Sequence, residues 1–422
     1  MKNFLTEDVK KKWEKVINAG EAINESYRKN VTTILLENTQ RALKEAAMTS
    51  TSAVANYDPV LISMVRRAAP KLIPYDIAGV QPMTGPTGLV FAMRSRYVAG
   101  RDEVAMGEEA EALFNEANTA WSGKSGGEYD TAADPSVMNV DSTAANYTTG
   151  VGFSTAEGEV LGIKASTKIA DMGFSIEKVT VEAKTRALKA TFSTELQQDL
   201  KAIHGLDADT ELANILSTEL LAEINRQFVR TVYIVAKVGS QQAKINEKGT
   251  FDMTVDSDGR WSAEQYKGLK MQMEKEANVL SKETRRGRGN VIIASPDVVS
   301  ALAESGRLDY APALDTNIEV DTATTTYMGV LDGRFKVYAD PYLAGLNADF
   351  AVMGYKGSNA YDAGIFYCPY VPLEMYKTVG QDDFQPRIGF KTRAGIVENP
   401  FAGKNLARAA NAYYRKTRII NL

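Results

Sequence analysis

Few side chains in this sequence are equipped for chemistry. Its 422 residues include one histidine, His204, and one cysteine, Cys368. Any Ser-His-Asp arrangement would have to use His204, and no His/Cys zinc cluster is possible within the chain. The simpler reading of His204 is a polar residue in the turn before a long helix. Paired carboxylates occur at Asp382-Asp383 and Glu108-Glu109. Both pairs sit in polar stretches with nothing to raise one pKa, as general acid catalysis requires, so they read as solvated faces. A phosphate-cradling loop needs a Gly-rich turn and a Lys at a helix start. Gly287-Arg288-Gly289-Asn290 instead leads into a strand, and an exposed charged turn is a simpler reading than a nucleic-acid contact. Tyr355, Tyr361, Tyr367 and Tyr370 follow strand spacing and read as packing. No group of residues meets the geometric needs of an active site. The sequence therefore predicts an interaction or structural protein, with no catalytic residue, metal site or cofactor.

Composition agrees with that reading. A hydrophobic fraction of 44% and a charged fraction of 24% are those of an ordinary globular chain, and the length allows two or three domains or one elaborate one. A formal net charge of −4 argues against a protein that wraps nucleic acid over its whole surface. No apolar run approaches a membrane span, and MKNFLTEDVKKKWEK lacks the apolar core of a signal peptide. A single cysteine excludes an intrachain disulfide framework and fits a reducing compartment.

The longest element predicted is a helix over 207–238. Asp207 is placed to cap it, and Asp209 and Glu211 put negative charge where the macrodipole favours it. Leu212, Ile215, Leu216, Leu220, Ile224, Phe228 and Val232 recur at helical spacing, and nothing breaks the run before Gly239. Upstream, residues 3–45 read as one or two charged helices interrupted at Gly20. Their narrow apolar stripe (Trp13, Val16, Ile17, Ile23, Tyr27, Val31, Ile34, Leu35) needs a partner. A small, polar linker follows at 49–59, then a short amphipathic helix ending near Pro70. Leu89, Phe91 and Met93 alternate in a strand that ends on Arg94 and Arg96.

Residues 99–173 are rich in Gly, Ala, Ser, Thr, Asp and Glu and read as a surface insertion. Residues 175–191 then have a period of two. Val179, Val181, Ala183, Thr185 and Ala187 form one face, and Lys178, Thr180, Glu182, Lys184 and Arg186 the other. Paired with the strand ending at Tyr97, this segment predicts a long two-stranded ribbon projecting from the body. Such a ribbon is marginal alone in water and calls for another subunit to lie on. Downstream, a helix is predicted at 262–282 and a buried strand at 291–294. Ser295-Pro296 opens a further helix as N-cap and first residue. A hairpin turns at Asp332-Gly333, and aromatic-rich strands follow at 351–355, 364–371 and 388–397.

The segments MVRRAAPKLIPYDIAGVQPMTGPTGLVFAMR (64–94) and MGFSIEKVTVEAKTRALKATFSTELQQDLKAIHGLDADTELANILSTELLAEINR (172–226) closely resemble the major capsid proteins of T-even-type tailed phages. GNVIIAS (289–295), GYKG (354–357), DAGIFYCPYV (362–371) and FQPRIGFKTRAGI (384–396) resemble the same family, in the same order. The resemblance implies an α+β fold, the major capsid fold of tailed phages, with N-arm, E-loop, P-domain with a long spine helix, and A-domain. It predicts an N-terminal extension at 1–45, the N-arm at 46–75 and the E-loop at 76–191 with a short insertion at about 101–172. The P-domain then falls at 192–255 with its spine helix at 207–238, the A-domain and returning P-domain strands at 256–397, and a tail at 398–422.

By resemblance, the chain self-assembles into hexamers of an icosahedral head around double-stranded DNA, which its inner face meets without sequence specificity. Scaffold and prohead protease act during assembly, with vertex, portal and decoration proteins as further partners, no membrane, and the virion as final location. Cleavage in the family follows a Glu two residues after Leu or Ile. Leu43-Lys44-Glu45 and Leu35-Leu36-Glu37 both fit. Leu5-Thr6-Glu7, Ile23-Asn24-Glu25, Leu221-Ala222-Glu223 and Leu302-Ala303-Glu304 also match, the last two in predicted helices where a protease has poor access. Glu45 is favoured over Glu37. Inter-subunit contacts are expected from Arg66, Arg67, Arg94, Arg96, Lys178, Glu182, Lys184 and Arg186. The family carries a larger insertion than 101–172. Two alternatives share the fold: the pentamer-forming vertex protein of the same head, and the shell of a cellular nanocompartment. An enzyme is a third reading, and no catalytic cluster supports it.

Overall fold

Two helices open the chain and a third, much longer one organises it. The computed structural model describes residues 7–18, 26–47, 72–99, 112–113, 117, 119, 121–123, 150–162, 169–205, 207–257, 259, 261–310, 326–343, 349–359, 362–380, 385–402 and 407–422. The expected linker at 49–59, the helix ending near Pro70 and most of the insertion lie outside these residues. The chain divides into two compact units, one made of Met1–Val90 with Val179–Leu422 and the other of Phe91–Lys178.

In the larger unit, α1 (Glu7–Asn18) and α2 (Ser26–Ala47) precede the long helix α3 (Ala208–Val235). Asp207 occupies the N-cap position of α3, but its side chain makes no capping bond; its carbonyl accepts from the Thr210 hydroxyl at 2.9 Å. The helix ends three residues before the predicted 238. Its last turn is Thr231-Val232-Tyr233-Ile234-Val235, rich in β-branched residues that fit a strand at least as well. The next three residues are strand β5 (Ala236–Val238), paired parallel to β14 (Asn411–Ile420). Of the predicted apolar face, Leu220, Ile224, Phe228 and Val232 are buried and Leu212 and Leu216 partly so, while Ile215 is 61% exposed.

Two sheets share this helix. The first has strand order β1 (Gly79–Val80), β12 (Ile365–Val379), β13 (Pro386–Glu398), β4 (Lys184–Thr191). Phe390, Ile388 and Leu373 of this sheet pack on Ala208, Ala213 and Leu220 of α3, and Tyr367 packs on Ile224. The second, of eight strands among the described residues, runs β5-β14-β11-β7-β10-β9-β8, with β6 (Thr250–Asp252) also paired to β14. Its remaining strands are β7 (Val291–Ala294), β8 (Leu308–Tyr310), β9 (Thr326–Leu331), β10 (Phe335–Ala339) and β11 (Phe350–Gly354).

Both faces of the second sheet are covered, which is why Val-Ile-Ile-Ala in β7 is apolar throughout rather than alternating. Ile292 and Ala294 face α4 (Ser262–Thr284) and α5 (Pro296–Leu302), together with Val337, Ala351 and Met353. Val291 and Ile293 face Phe228, Val229, Val232 and Val235 of α3, together with Tyr338 and Val352. The late strands thus cover the helix, as its stripe requires. The hairpin turns where predicted: β9 and β10 pair antiparallel, and residues 332–334 connect them. Asp332 and Gly333, with φ of 54° and 65°, are the central residues of the turn that the Arg334 N–H closes on the Leu331 carbonyl at 3.1 Å. Ser295 is the N-cap of α5, but its hydroxyl goes to Asp349 at 2.7 Å.

Two expectations are corrected. The strand over 175–191 is two strands in different sheets. β3 (Asp171–Glu182) pairs with β2 (Thr87–Ala99), whereas β4 pairs with β13. Ala183 lies between them, and its N–H goes to the Pro86 carbonyl at 2.9 Å. The bend reverses the facing pattern. Val179 and Val181 are inward before it and Arg186, Leu188 and Ala190 after it, so Thr185 and Ala187 are outward, the opposite of the predicted faces. Gly395 permits the bend, since a Cβ there would meet Val181 and the Glu182 carbonyl oxygen at 2.6 and 2.8 Å. The tail at 398–422 is also more than a tail. β14 is an interior strand with Asn411, Tyr413, Tyr414, Arg415, Thr417 and Ile419 buried.

Candidate assembly surfaces

The smaller unit contains most of the β2–β3 ribbon, and its two faces differ in chemistry. Arg96 Nε donates to Ser175 Oγ at 2.8 Å and its terminal nitrogen lies 3.2 Å from Glu177, which also lies 3.6 Å from Arg94. Even residues of β2 and odd residues of β3 therefore share one face. By the period of two, Phe91 and Met93 share the other with Met172, Phe174 and Ile176. All five are exposed, Phe91 at 56%, Met93 at 67%, Phe174 at 69% and Ile176 at 62%. A two-stranded sheet with one bare apolar face is poorly stable on its own in water. Tyr97 and Trp121 pack ring against ring, with centroids 4.7 Å apart.

Of the contact residues expected from sequence, Arg66 and Arg67 lie outside the described residues. Arg94 and Arg96 bond within the ribbon. Arg186 turns inward to α3, bonding Glu223 at 3.0 Å and Gln227 at 2.7 Å. This pair bridges a cleft of about 500 Å³ between α3 and the first sheet, lined also by Thr231, Thr392 and Ile396. Lys178, Glu182 and Lys184 are exposed. Sequence reasoning missed the exposed row on β3: Met172, Phe174 and Ile176 precede the charged alternation, and their spacing was the available signal.

The N-terminal helices form a third surface, one already occupied. Trp13 and Ile17 of α1 and Leu36 of α2 are buried with Phe192, Leu220, Leu373 and Phe390. Val31 and Leu35 are buried with Leu72, Tyr75, Ile224 and Tyr367. Polar bonds hold the same docking: Asn38 Nδ2 donates to the carbonyls of Met83 (2.8 Å) and Tyr370 (3.0 Å), and Arg28 pairs with Asp76 at 2.7 Å. Glu37 Oε2 accepts from Trp13 Nε1 at 2.9 Å and Lys12 Nζ at 3.1 Å. Burial works against the Glu37 charge, but the Trp13 bond and Lys12 outweigh it and hold the carboxyl below its usual range.

Among the described residues, nothing catalytic is assembled elsewhere. His204 sits exposed in the turn Leu200–His204 before Gly205. Cys368 is buried, and desolvation pushes its thiol up to about 12. Asp382-Asp383 and Glu108-Glu109 lie outside the described residues. Among the described residues, no three His, Cys, Asp or Glu side chains meet as a metal site, and no helix is long and apolar enough to cross a membrane. The glycines of the 287–290 turn serve packing, for a Cβ at Gly287 would strike Tyr355 and one at Gly289 Met353. Charged residues are instead used structurally. Arg415 reaches Glu276 at 2.8 Å and Glu283 at 2.7 Å, and Arg226 and Tyr233 of α3 converge on buried Asp340 at 2.5 and 2.7 Å.

A long helix shared by two sheets and a two-stranded ribbon with a bare apolar face are the features of a protein that assembles with others. The chain belongs to the Gp23 major capsid protein family, whose model matches residues 54–419. It is a structural component of the phage head. The major capsid protein of Salmonella phage ViI is 39% identical over 447 residues, covering 100% of this chain and 99% of that protein. The major capsid protein of Enterobacteria phage T4 is 39% identical over 411 residues, with 85% and 78% covered. The capsid vertex protein of T4 is 27% identical over 250 residues, 56% of this chain and 55% of that protein. Among solved structures, a chain from Mycobacterium phage Cain overlaps loosely, with a TM-score of 0.40 and 10% identity over 90% of this chain and 98% of that one.

Proposed function

We propose that the chain forms the hexameric capsomers of an icosahedral head, and that its N-terminal extension is removed by a prohead protease during maturation. The bare apolar row Phe91, Met93, Met172, Phe174, Ile176 carries this reading, because a folded chain gains by burying such a row on a neighbouring copy. In this reading the β2–β3 ribbon is the E-loop, 46–75 the N-arm and α3 the spine helix of the P-domain. The first sheet, with the returning strands β12 and β13, belongs to the P-domain, and the second sheet with α4 and α5 to the A-domain. Arg66, Arg67, Lys178, Glu182 and Lys184 meet the adjacent subunit. Arg94, Arg96 and Arg186 shape that surface from within their own chain.

Full-length similarity to major capsid proteins, against similarity over about half the chain to vertex proteins, favours hexamers over pentamers. Expression with and without residues 1–45, followed by electron microscopy, tests the assembly. Hexameric capsomers in at least one form are expected; discrete oligomers without capsomers in both would overturn it. Mass spectrometry of chains from mature heads tests the processing, with Ala46 expected as the new N-terminus and an intact Met1 in every copy as the contrary result.

A further inference from the structure

Four bonds in the extension match the cleavage pattern, after Glu7, Glu25, Glu37 and Glu45, and the fold treats the last two differently. Both lie in α2. A protease needs its substrate segment unwound into extended form, so the accessibility of a helical bond is set by what local unwinding costs. Around Glu37 that cost is high. Leu35 and Leu36 are 2% and 3% exposed and belong to two different apolar clusters. Beyond the bond, Asn38 holds two backbone carbonyls of the body, and Thr39 is buried. The carboxylate itself, the group the pattern selects, is occupied by Trp13 and Lys12 of α1, and Lys12 also bonds Gln40 and lies 5.0 Å from the indole centroid. Glu45 lies in the last turn of α2, two residues before its end at Ala47. The last four carbonyls of a helix have no intrahelical partner, so fewer backbone bonds hold this turn than hold the bond after Glu37.

We propose that the docked extension selects between the two processing bonds of α2: α1, through Trp13 and Lys12, together with Asn38, seals the bond after Glu37 and leaves the bond after Glu45 as the one cut in this helix. The inference rests on the processing reading above. The step is a hydrolysis in which one water is consumed across the Glu45–Ala46 amide, leaving a carboxylate on Glu45 and an amine on Ala46.

A glutamyl-specific endoproteinase serves as the probe, applied in limited digestion to the folded full-length chain, with the new N-termini of the large fragment identified by mass. Ala46 is expected to appear early and Asn38 at least about tenfold more slowly, as for a bond reached only by sub-global opening. In Glu45→Gln, loss of the open bond should not be compensated at Glu37. Adding Trp13→Ala, Lys12→Ala and Asn38→Ala to Glu45→Gln should bring Asn38 up by about tenfold or more. Circular dichroism at the digestion temperature verifies that this variant keeps the folded body. Cleavage after Glu37 in Glu45→Gln at the rate seen for Glu45 in the parent chain would overturn the proposal, as would an unchanged Glu37 rate in the unsealed, folded variant. Failure of the processing reading looks different: the endoproteinase discriminates as described, yet chains from mature heads retain Met1.

Discussion

At the scale of single residues, the charges that matter most lie inside. Arg415 is almost fully buried on β14, paired with Glu276 and Glu283, and Glu276 also accepts the Ser240 N–H and the side-chain amides of Gln242 and Gln272. Removing one member of a buried pair strands the other, whereas removing both with apolar replacements leaves nothing to solvate. Arg415→Met is therefore expected to lower unfolding free energy by about 3–5 kcal/mol, and Arg415→Met with Glu276→Leu to recover much of that loss, read from urea denaturation. None of this was legible beforehand. In sequence, Arg415 sits among Arg408, Lys416 and Arg418 like any basic tail, and Glu276 among the charges of an amphipathic helix. Only the pairing of β14 with β11 and β5 carries the arginine under α4.

Helices and strands were more legible, because their signals are local. The long helix, the 332–333 hairpin and the strand at 291–294 follow from periodicity and turn chemistry, and they stand within a few residues of expectation. The errors occur where the chain changes partners, at Ala183, where one strand becomes two, and at Val235, where helix gives way to strand, and in the basic tail, where the interior strand β14 went unforeseen. Two predictions belong here. Phe174→Ser with Ile176→Ser, on the bare face of the ribbon, should change the stability of the isolated chain by no more than about 0.5 kcal/mol while abolishing capsomer formation in microscopy. The second concerns the α1–α2 contact. Glu37 has a folded pKa below its ordinary value of 4.5, so its contribution is present above that value and is lost as pH falls through the folded one. Acidification below 4.5 should loosen α1, seen as a red shift of Trp13 fluorescence in a chain carrying Trp121→Phe and Trp261→Phe.

At the scale of the whole molecule, the extension is part of the fold for as long as it is attached. Trp13, Ile17, Val31, Leu35 and Leu36 complete apolar clusters built by α3 and the first sheet, each side chain contributing about 1.5–3 kcal/mol by burial. α2 closes on the body around an apolar cavity of about 20 Å³ lined by Leu35, Leu220, Tyr367 and Leu373. A chain of residues 46–422 should accordingly unfold at lower temperature than the full chain, and should bind more of a hydrophobic dye than the full chain does. Calorimetry and dye fluorescence read the two effects. Equal midpoints and equal dye binding would mean the docked helices add nothing to the body.

The sequence by itself determined the family, the helical and strand segments, and the absence of residues suited to catalysis, since each of these is carried by residue types and short spacings. The candidate contact residues were only half readable. Their strands were found, but facing direction was inverted after Ala183, and the apolar row on β3 went unnoticed beside the charged one. Tertiary structure decided which way each side chain faces and which charges pair. Those are long-range properties. They depend on which strand lies beside which and on which helix covers the result, so no window of neighbouring residues contains them.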